Sequence, residues 1–487
     1  MTPVIVQPFL IAFVLAIALV PLCRRLAYRV GLVAHPREDR WHRTSIPMLG
    51  GIAIGLATFA ASFITGIAAA VAVFLTSAVV IFLAGLVDDV VSLKPSTKLI
   101  VQLAMASALV AFDYRLQWIE SRLIDSIVTM VWVVGLTNAF NLLDNMDGLC
   151  AGTAVIVALM MAMGLWTGVT RELAFEEMSF LSIIAGASAG YLVYNFPPAS
   201  IFMGDCGSLM LGFSLAAMTL GSEGVRGSRA GVLTVIATPV FVLLLPIFDT
   251  TLVTVARILS GRSPALGGRD HSSHRLVAMG LSERSAVFVL WMLAAAGGIT
   301  GLLVRNVTGG WSTVVGGLFL ILMGTFALHL GRVRVYGERP PAVSNANGFT
   351  PLIGELMYKR RVLEVILDFA AIGAAYYAAN RLRFDVEAYA ANAESFYGSL
   401  PIVLAVQLVA FFVVGVYRGE WHIYGTEDAV TAIKGVVLGV SAVALFVLPL
   451  FSYTADPRML FVYYAAILSV LIVASRAFFR LVSYVLR

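Results

Sequence analysis

Apolar runs of about 20 residues alternate with short polar stretches from one end of this 487-residue chain to the other. A helix of about 20 mostly apolar residues crosses a bilayer. Spanning strands would show ~10-residue alternation instead, and none appears. The pattern predicts helices at about 4–22, 46–63, 68–87, 97–112, 123–141, 149–166, 178–195, 207–221, 230–258, 284–304 and 311–330, then at about 362–380, 399–417, 433–452 and 459–476. The expected fold is all-α and polytopic, with about 11 + 4 transmembrane helices. The first run, Ile5 to Leu22, lacks a basic leader and a small-residue cleavage site, and reads as a retained helix.

Composition agrees with that reading: 60% of residues are hydrophobic and 13% charged, against roughly 25% charged in soluble domains. Placing the N-terminus outside puts loops 23–45, 88–96, 142–148, 196–206, 259–283 and 331–361 in the cytoplasm. Together with 418–432, the C-terminal tail and adjoining helix ends, they carry 24 of the 33 Lys and Arg. The positive-inside rule therefore favours this orientation, and the net charge of +5 reads as topology rather than nucleic-acid binding. The three cysteines (Cys23, Cys150, Cys206) are odd in number and lack metal-ligand spacing, which excludes a disulfide framework. Residues 332–361, rich in Pro, Gly, Asn and Arg, read as a cytoplasmic linker between a module at 1–331 and a four-helix module at 362–487.

The candidate chemistry lies at the predicted cytoplasmic ends. "GLVDDVVSLKPSTK" (85–98) leaves helix three, "NAFNLLDNMDGL" (138–149) leaves helix five, "NFPPASIFMGDCGS" (195–208) joins helices seven and eight, and "GGRDHSSHRL" (267–276) lies in the next long loop. Each piece alone has a plain structural reading: a solvated helix end, a turn, or Ser208 as the N-cap of helix eight. Together they bring acids from three loops and two histidines to one membrane face. That combination suits phosphoryl transfer. Carboxylates hold Mg²⁺, one carboxylate orients or deprotonates the nucleophile, and Arg43, Lys94, Lys98, Arg269 and Arg275 are candidates for phosphate contacts.

These stretches, with "HRTSIPMLGG" (42–51) and "RDHSSHRLVAMGLSER" (269–284), resemble the polyprenyl-phosphate N-acetylhexosamine-1-phosphate transferases, glycosyltransferase family 4, in order over about 330 residues. That family includes the phospho-MurNAc-pentapeptide translocase and the enzymes that start O-antigen and teichoic-acid linkage synthesis. The resemblance implies a UDP-N-acetylhexosamine donor, an undecaprenyl-phosphate acceptor, UMP release, Mg²⁺ (with Mn²⁺ as a substitute) and residence in the bacterial inner membrane. The pathway would be the start of a surface polysaccharide. By position, Asp88 and Asp89 match the family's acid pair, and Asp205 its principal Mg²⁺ ligand. Asn138, Asn141, Asp144 and Asp147 match its nucleotide- and catalysis-associated residues, with Asp88, Asp89, Asp147 and His271 expected as catalytic. Arg43, Lys98, Arg269 and His274 are expected to bind substrate. Two positions depart from the pattern: Ser273 replaces a histidine, leaving open whether His271 or His274 meets the diphosphate, and Asn145 stands where glycine is common.

In the C-terminal module, "RRVLEVILDFAAIGAAYYAANRLRFD" (360–385) and "GVYRGEWHIYGTEDAVTAIKGVVLG" (415–439) resemble the membrane anchor of polysaccharide-biosynthesis nucleotide-sugar epimerases and dehydratases. Residues 362–487 hold no Gly-rich dinucleotide fingerprint, so a Rossmann domain is not expected in this module. The module is expected to recruit a pathway partner or form homo-oligomers. The rival readings are a transporter or flippase, which would keep its ionisable residues near the bilayer midplane, and a non-catalytic membrane scaffold.

Overall fold

The computed structural model describes residues 5–34, 45–167, 174–221, 232–260, 268, 270–306, 311–333, 360–384, 386–417, 426–454 and 456–485. The apolar runs fold as helices: α1 Gln7–Val30, α2 Gly50–Ile64, α3 Ala72–Val91, α4 Pro95–Ala111, α5 Arg122–Leu143, α6 Leu149–Thr167, α7 Phe175–Asn195, α8 Asp205–Ala217, α9 Val232–Val242, α10 Leu244–Leu259, α11 Ser272–Ala278, α12 Glu283–Asn306 and α13 Trp311–Gly331. Beyond the predicted linker follow α14 Arg360–Arg383, α15 Val386–Ala391, α16 Ala393–Val414, α17 Thr426–Leu450 and α18 Arg458–Val485. Val33–Ala34 (β1) and Ile46–Pro47 (β2) form a two-residue antiparallel pair. Among the described residues eleven helices are long and apolar enough to span a membrane, or twelve with α9 and α10 as one bent span. The protein is a multi-pass membrane protein.

Two departures from the predicted helices have local causes. Helix α1 runs on to Val30 and ends where Gly31 takes φ +77° and returns its N–H to Ala27, the left-handed stop that glycine permits. Arg29 lies in its last turn, where a cation complements the helix dipole. The run at 230–258 is broken at Leu243, with a bend of 79°. Pro246 has no N–H for the carbonyl of Val242, and its ring crowds that carbonyl, so the helix cannot continue unbroken.

Packing divides the chain into two compact units. The first comprises Met1–Ser92, Leu116–Trp118 and Trp132–Glu355. In it α1 packs on α7 and α2, α6 on α7, α3 on α8, and α12 on α6 and α9. A core of Leu143, Leu149, Leu245, Phe248 and Leu290 joins the later helices. Glycines bring α2 and α3 onto the start of α8. A Cβ on Gly85 would stand 2.5 Å from Cys206 Cα, and one on Gly51 would stand 2.4 Å from Gly207 N.

The second unit comprises Leu93–Arg115, Ile119–Val131 and Leu356–Arg487. Here α4 packs on α16 and α14, α14 on α18, and α16 on α17. A boundary at the linker assigns α4 to 1–331, whereas packing groups it with the helices of 362–487. Most of the linker lies outside the described residues. The interior of this unit is polar for a membrane bundle. Arg476 binds Asp368 through both guanidinium arms, Nη1 to Oδ1 at 2.7 Å. Tyr376 Oη and Ser399 Oγ are 2.8 Å apart, and Gln407 donates to Gly435 O at 3.1 Å.

Candidate active site

The site is built on the first turn of α8. Gly204 precedes it at φ +77°, and Asp205 is the first helical residue rather than a loop residue. At the far end of α3, Asp89 turns its carboxylate to this turn. Oδ1 accepts the N–H of Asp205 at 2.7 Å, and Oδ2 accepts that of Cys206 at 3.1 Å. First-turn N–H groups have no partner within their own helix, so Asp89 caps α8 from 116 residues away in sequence. A Cβ on residue 204 would stand 2.8 Å from the same carboxylate, which is why glycine sits there.

From α5, Asn141 Nδ2 donates to Asp205 Oδ1 at 3.0 Å and to Ser208 Oγ at 2.9 Å. Ser208 itself donates to Gly204 O at 3.1 Å. Ser208 is therefore inside α8, and the expectation that it caps the helix is corrected: Gly204 holds that position.

The turn after α5 carries the other two acids. Asp144 is half-buried. Burial, then the charges of Asp205, Asp147 and Asp89, push its carboxyl up to about 7. Asp147 Oδ2 accepts the N–H of Ala199 at 2.8 Å. Gly148, at φ +76°, donates its N–H to Asn195 Oδ1 at 2.9 Å. Arg284 donates to Pro197 O at 2.9 Å, anchoring the same 196–204 loop from α12. Asp88 is half-buried in the last turn of α3. Asn138 Nδ2 bonds the carbonyl of Val134 in its own helix at 2.7 Å.

The histidine segment forms the short helix α11. His271 is its N-cap, and His274 lies within it, with ring centroids 6.3 Å apart. His271 Nδ1 lies 2.7 Å from Asp249 Oδ2, while Asp249 Oδ1 accepts Ser272 N–H at 2.7 Å and Ser272 Oγ–H at 2.6 Å. Ser273 Oγ donates to Asn145 Oδ1 at 2.6 Å. The two departures from the motif pattern thus bond to each other and tie α11 to the acidic turn. Arg257 pairs with Asp270 through Nε and Nη2. Burial would raise the Asp270 carboxyl, but Arg257 outweighs it and holds the group below its ordinary range. Arg275, a candidate for phosphate contact, donates to the carbonyls of Leu330 (2.9 Å) and Val333 (2.9 Å) at the end of α13 and to that of Asp270.

The structure thus brings Asp89, Asn141 and Asp205 into direct contact, with Asp144 and Asp147 near enough to act electrostatically. His271 and His274 join through Ser273 and Asn145. Lys98 lies on α4, in the second unit. Arg43 and Arg269 lie outside the described residues. The sequence reading missed Asp249, Ser272, Arg257 and Arg284. Asp249 had a signal: it is the only charged residue between 230 and 256, and an acid in such a stretch needs a partner.

Whether these residues suit Mg²⁺ is answered by the donor set. The charges of Asp205, Asp147 and Asp89 all raise Asp144, so carboxylates crowd one another here, and a hard dication would relieve them. Among the described residues, no three acid, His or Cys side chains form a ready-made metal cage. Mg²⁺ usually takes only one or two carboxylates, completing its shell with water and substrate phosphate. Asp205 with Asp144 fits that description.

Comparison with known proteins bears on the same stretch. Residues 71–223 match the model of glycosyl transferase family 4. The chain is 30% identical over 343 residues to the "Probable undecaprenyl-phosphate N-acetylglucosaminyl 1-phosphate transferase" of Bacillus subtilis (strain 168), covering 68% of this chain and 93% of that protein. It is 32% identical over 302 residues (55% and 74%) to the "Decaprenyl-phosphate N-acetylglucosaminephosphotransferase" of Mycobacterium tuberculosis (strain ATCC 25618 / H37Rv). It is 26% identical over 289 residues (56% and 76%) to the "Undecaprenyl-phosphate alpha-N-acetylglucosaminyl 1-phosphate transferase" of Escherichia coli (strain K12). With nearly the full length of the B. subtilis relative matched, and an acid cluster assembled from three separate motifs, this chain belongs to glycosyl transferase family 4, the polyprenyl-phosphate N-acetylhexosamine-1-phosphate transferases.

Proposed function

We propose that the protein transfers N-acetylhexosamine-1-phosphate from a UDP-sugar to undecaprenyl phosphate at the cytoplasmic face of a bacterial inner membrane, starting a surface polysaccharide. The observation that carries this reading is the carboxylate crowd around Asp205, held by Asp89 and Asn141. N-acetylglucosamine is the sugar in the names of the three relatives above and is the first donor to test. A groove of about 1260 Å³ between α10 and α13, walled by Leu244, Phe248, Leu252, Leu320 and Met323 and bordered by Arg257, suits a polyprenyl chain.

In the proposed reaction, Asp88 orients and deprotonates the acceptor phosphate. A nonbridging oxygen of that phosphate attacks the β-phosphorus of the UDP-sugar. The bond from the β-phosphorus to the bridging oxygen breaks, and UMP leaves with that oxygen. The product is a polyprenyl-diphosphate sugar. Asp89 acts one step back, capping α8 so that Asp205 keeps its place. Asp205 and Asp144 would hold Mg²⁺, which when bound supplies positive charge against the diphosphate. Asn138, Asn141 and Asp147 line the nucleotide side, and His271 and His274 meet the diphosphate. Arg43 and Arg269 complete the substrate contacts in this proposal.

The break between α9 and α10 gives the transporter reading its one foothold, since transporters use interrupted helices. Purified protein incubated with undecaprenyl phosphate, Mg²⁺ and a panel of UDP-sugars separates the two. Equal amounts of UMP and lipid-diphosphate sugar by mass spectrometry are expected from at least one donor. Vesicle transport without UMP release would refute the proposal.

A further inference from the structure

Asp249 has a geometry that packing alone does not require. It is 1% exposed, lies three residues past the proline that helps break the helix, and is the only charged side chain from residue 230 to 256. An ionised carboxylate in such a place is stable only if donors surround it. All three of its donors come from one short segment: His271 Nδ1–H, Ser272 N–H and Ser272 Oγ–H, at 2.6–2.7 Å. His271 precedes α11 in extended backbone (φ −64°, ψ 158°), so its ring orientation is not fixed by helical geometry. A carboxylate only accepts hydrogen bonds, so the imidazole nitrogen beside it carries the proton. Nε2 is then the nitrogen turned toward a ligand.

The geometry points to Asp249 as a positioning residue: it holds His271 by its Nδ1–H and aims Nε2 at the donor diphosphate, whose oxygens only accept, so the ring acts there with Nε2 protonated as well. This rests on the reading above, in which His271 meets that diphosphate. Asp249 touches no substrate and acts through the imidazole, as carboxylates behind metal-bound histidines do. It also gives the bend at Leu243 a use, because α10 must leave the axis of α9 for its acid to reach α11.

The test uses the full-length protein carrying Asp249→Asn, His271→Ala or both. Asp249→Asn should lower kcat for UMP release about 10–100-fold, the usual cost of removing such a supporting group. KM for the UDP-sugar should stay within about threefold, and the melting temperature should be near wild type, because the amide keeps one acceptor. In the His271→Ala background the same change should cost nothing further, since coupled residues are not additive. A wild-type rate in Asp249→Asn, or losses that multiply in the double variant, would overturn the assignment. If wild type turns over no donor, the functional reading fails instead, and ¹⁵N-histidine NMR decides this one. The His271 signal, identified by its loss in His271→Ala, should show a protonated Nδ1 in wild type. An unprotonated Nδ1 there would refute the inference.

Discussion

In the second unit the Asp368 carboxylate is met by both arms of Arg476, and these two buried charges cancel. In the first unit Asp89, Asp144, Asp147 and Asp205 crowd one another, and each of the other three raises Asp144. The first arrangement is complete in itself: a buried acid with a bidentate guanidinium can hold helices together. In the second, acids from separate motifs raise Asp144 together, and a metal-bound diphosphate would relieve that repulsion. Both units are membrane helices with buried charge, so burial alone does not mark a site. The sign and sum of the neighbouring charges do.

The sharpest way to break the comparison is to neutralise one acid on each side. Asp89→Asn leaves one α8 N–H facing an NH₂ group. It should lower kcat about 10–100-fold, as loss of a supporting group does, and also lower the melting temperature, since caps are worth about 1 kcal/mol. Normal turnover would mean that Asp89 only ends α3. Arg476→Leu, by contrast, should leave turnover per folded molecule intact while destabilising the protein by roughly 3–5 kcal/mol, the cost of stranding a buried charge. Thermal melts with activity at low temperature read both quantities. Loss of turnover in a well-folded Arg476→Leu protein would contradict the purely structural role of this pair.

A smaller effect is expected where α11 meets the acidic turn. Ser273→Ala and Asn145→Gly should each reduce turnover about two- to fivefold, and the double variant no more than either, because one hydrogen bond is lost in all three. Multiplied losses would separate the two side chains. The smallest effect concerns pH. The folded Asp144 carboxyl titrates near 7 against an ordinary 3.8, so ionising it costs the folded state. Without metal, stability should therefore fall as pH rises from about 4 to 7 and level off above. Asp144→Asn should flatten that slope in melts run with a chelator, and an unchanged slope would assign it elsewhere.

The helices were legible because apolar run length is a local property, and each predicted run contains a helix. Partners were not, because they are set by contacts that no short window contains. Asp89 and Asp205 could be named from their motifs, but not that one caps the helix of the other. Asp249 hid inside an apolar run whose partner lies 22 residues on. The polar residues of α14 escaped for a related reason: Glu364, Asp368, Tyr376 and Asn380 fall on one helix face, which neither run length nor loop composition displays. The linker drew the eye to 332–361, while the packing of α4 on α14 and α16 is written in helix faces and not in composition.

The central claim is that the acids around Asp205 form a metal-dependent phosphoryl-transfer site. The most direct test is a Mg²⁺ titration of UMP release from UDP-N-acetylglucosamine and undecaprenyl phosphate, with wild type and Asp205→Asn side by side and melts confirming the fold of each. The account predicts saturable, Mg²⁺-dependent release by wild type and none above background from the folded variant at any Mg²⁺ concentration. Equal release by the two proteins, or release by wild type that persists in chelator, would contradict it.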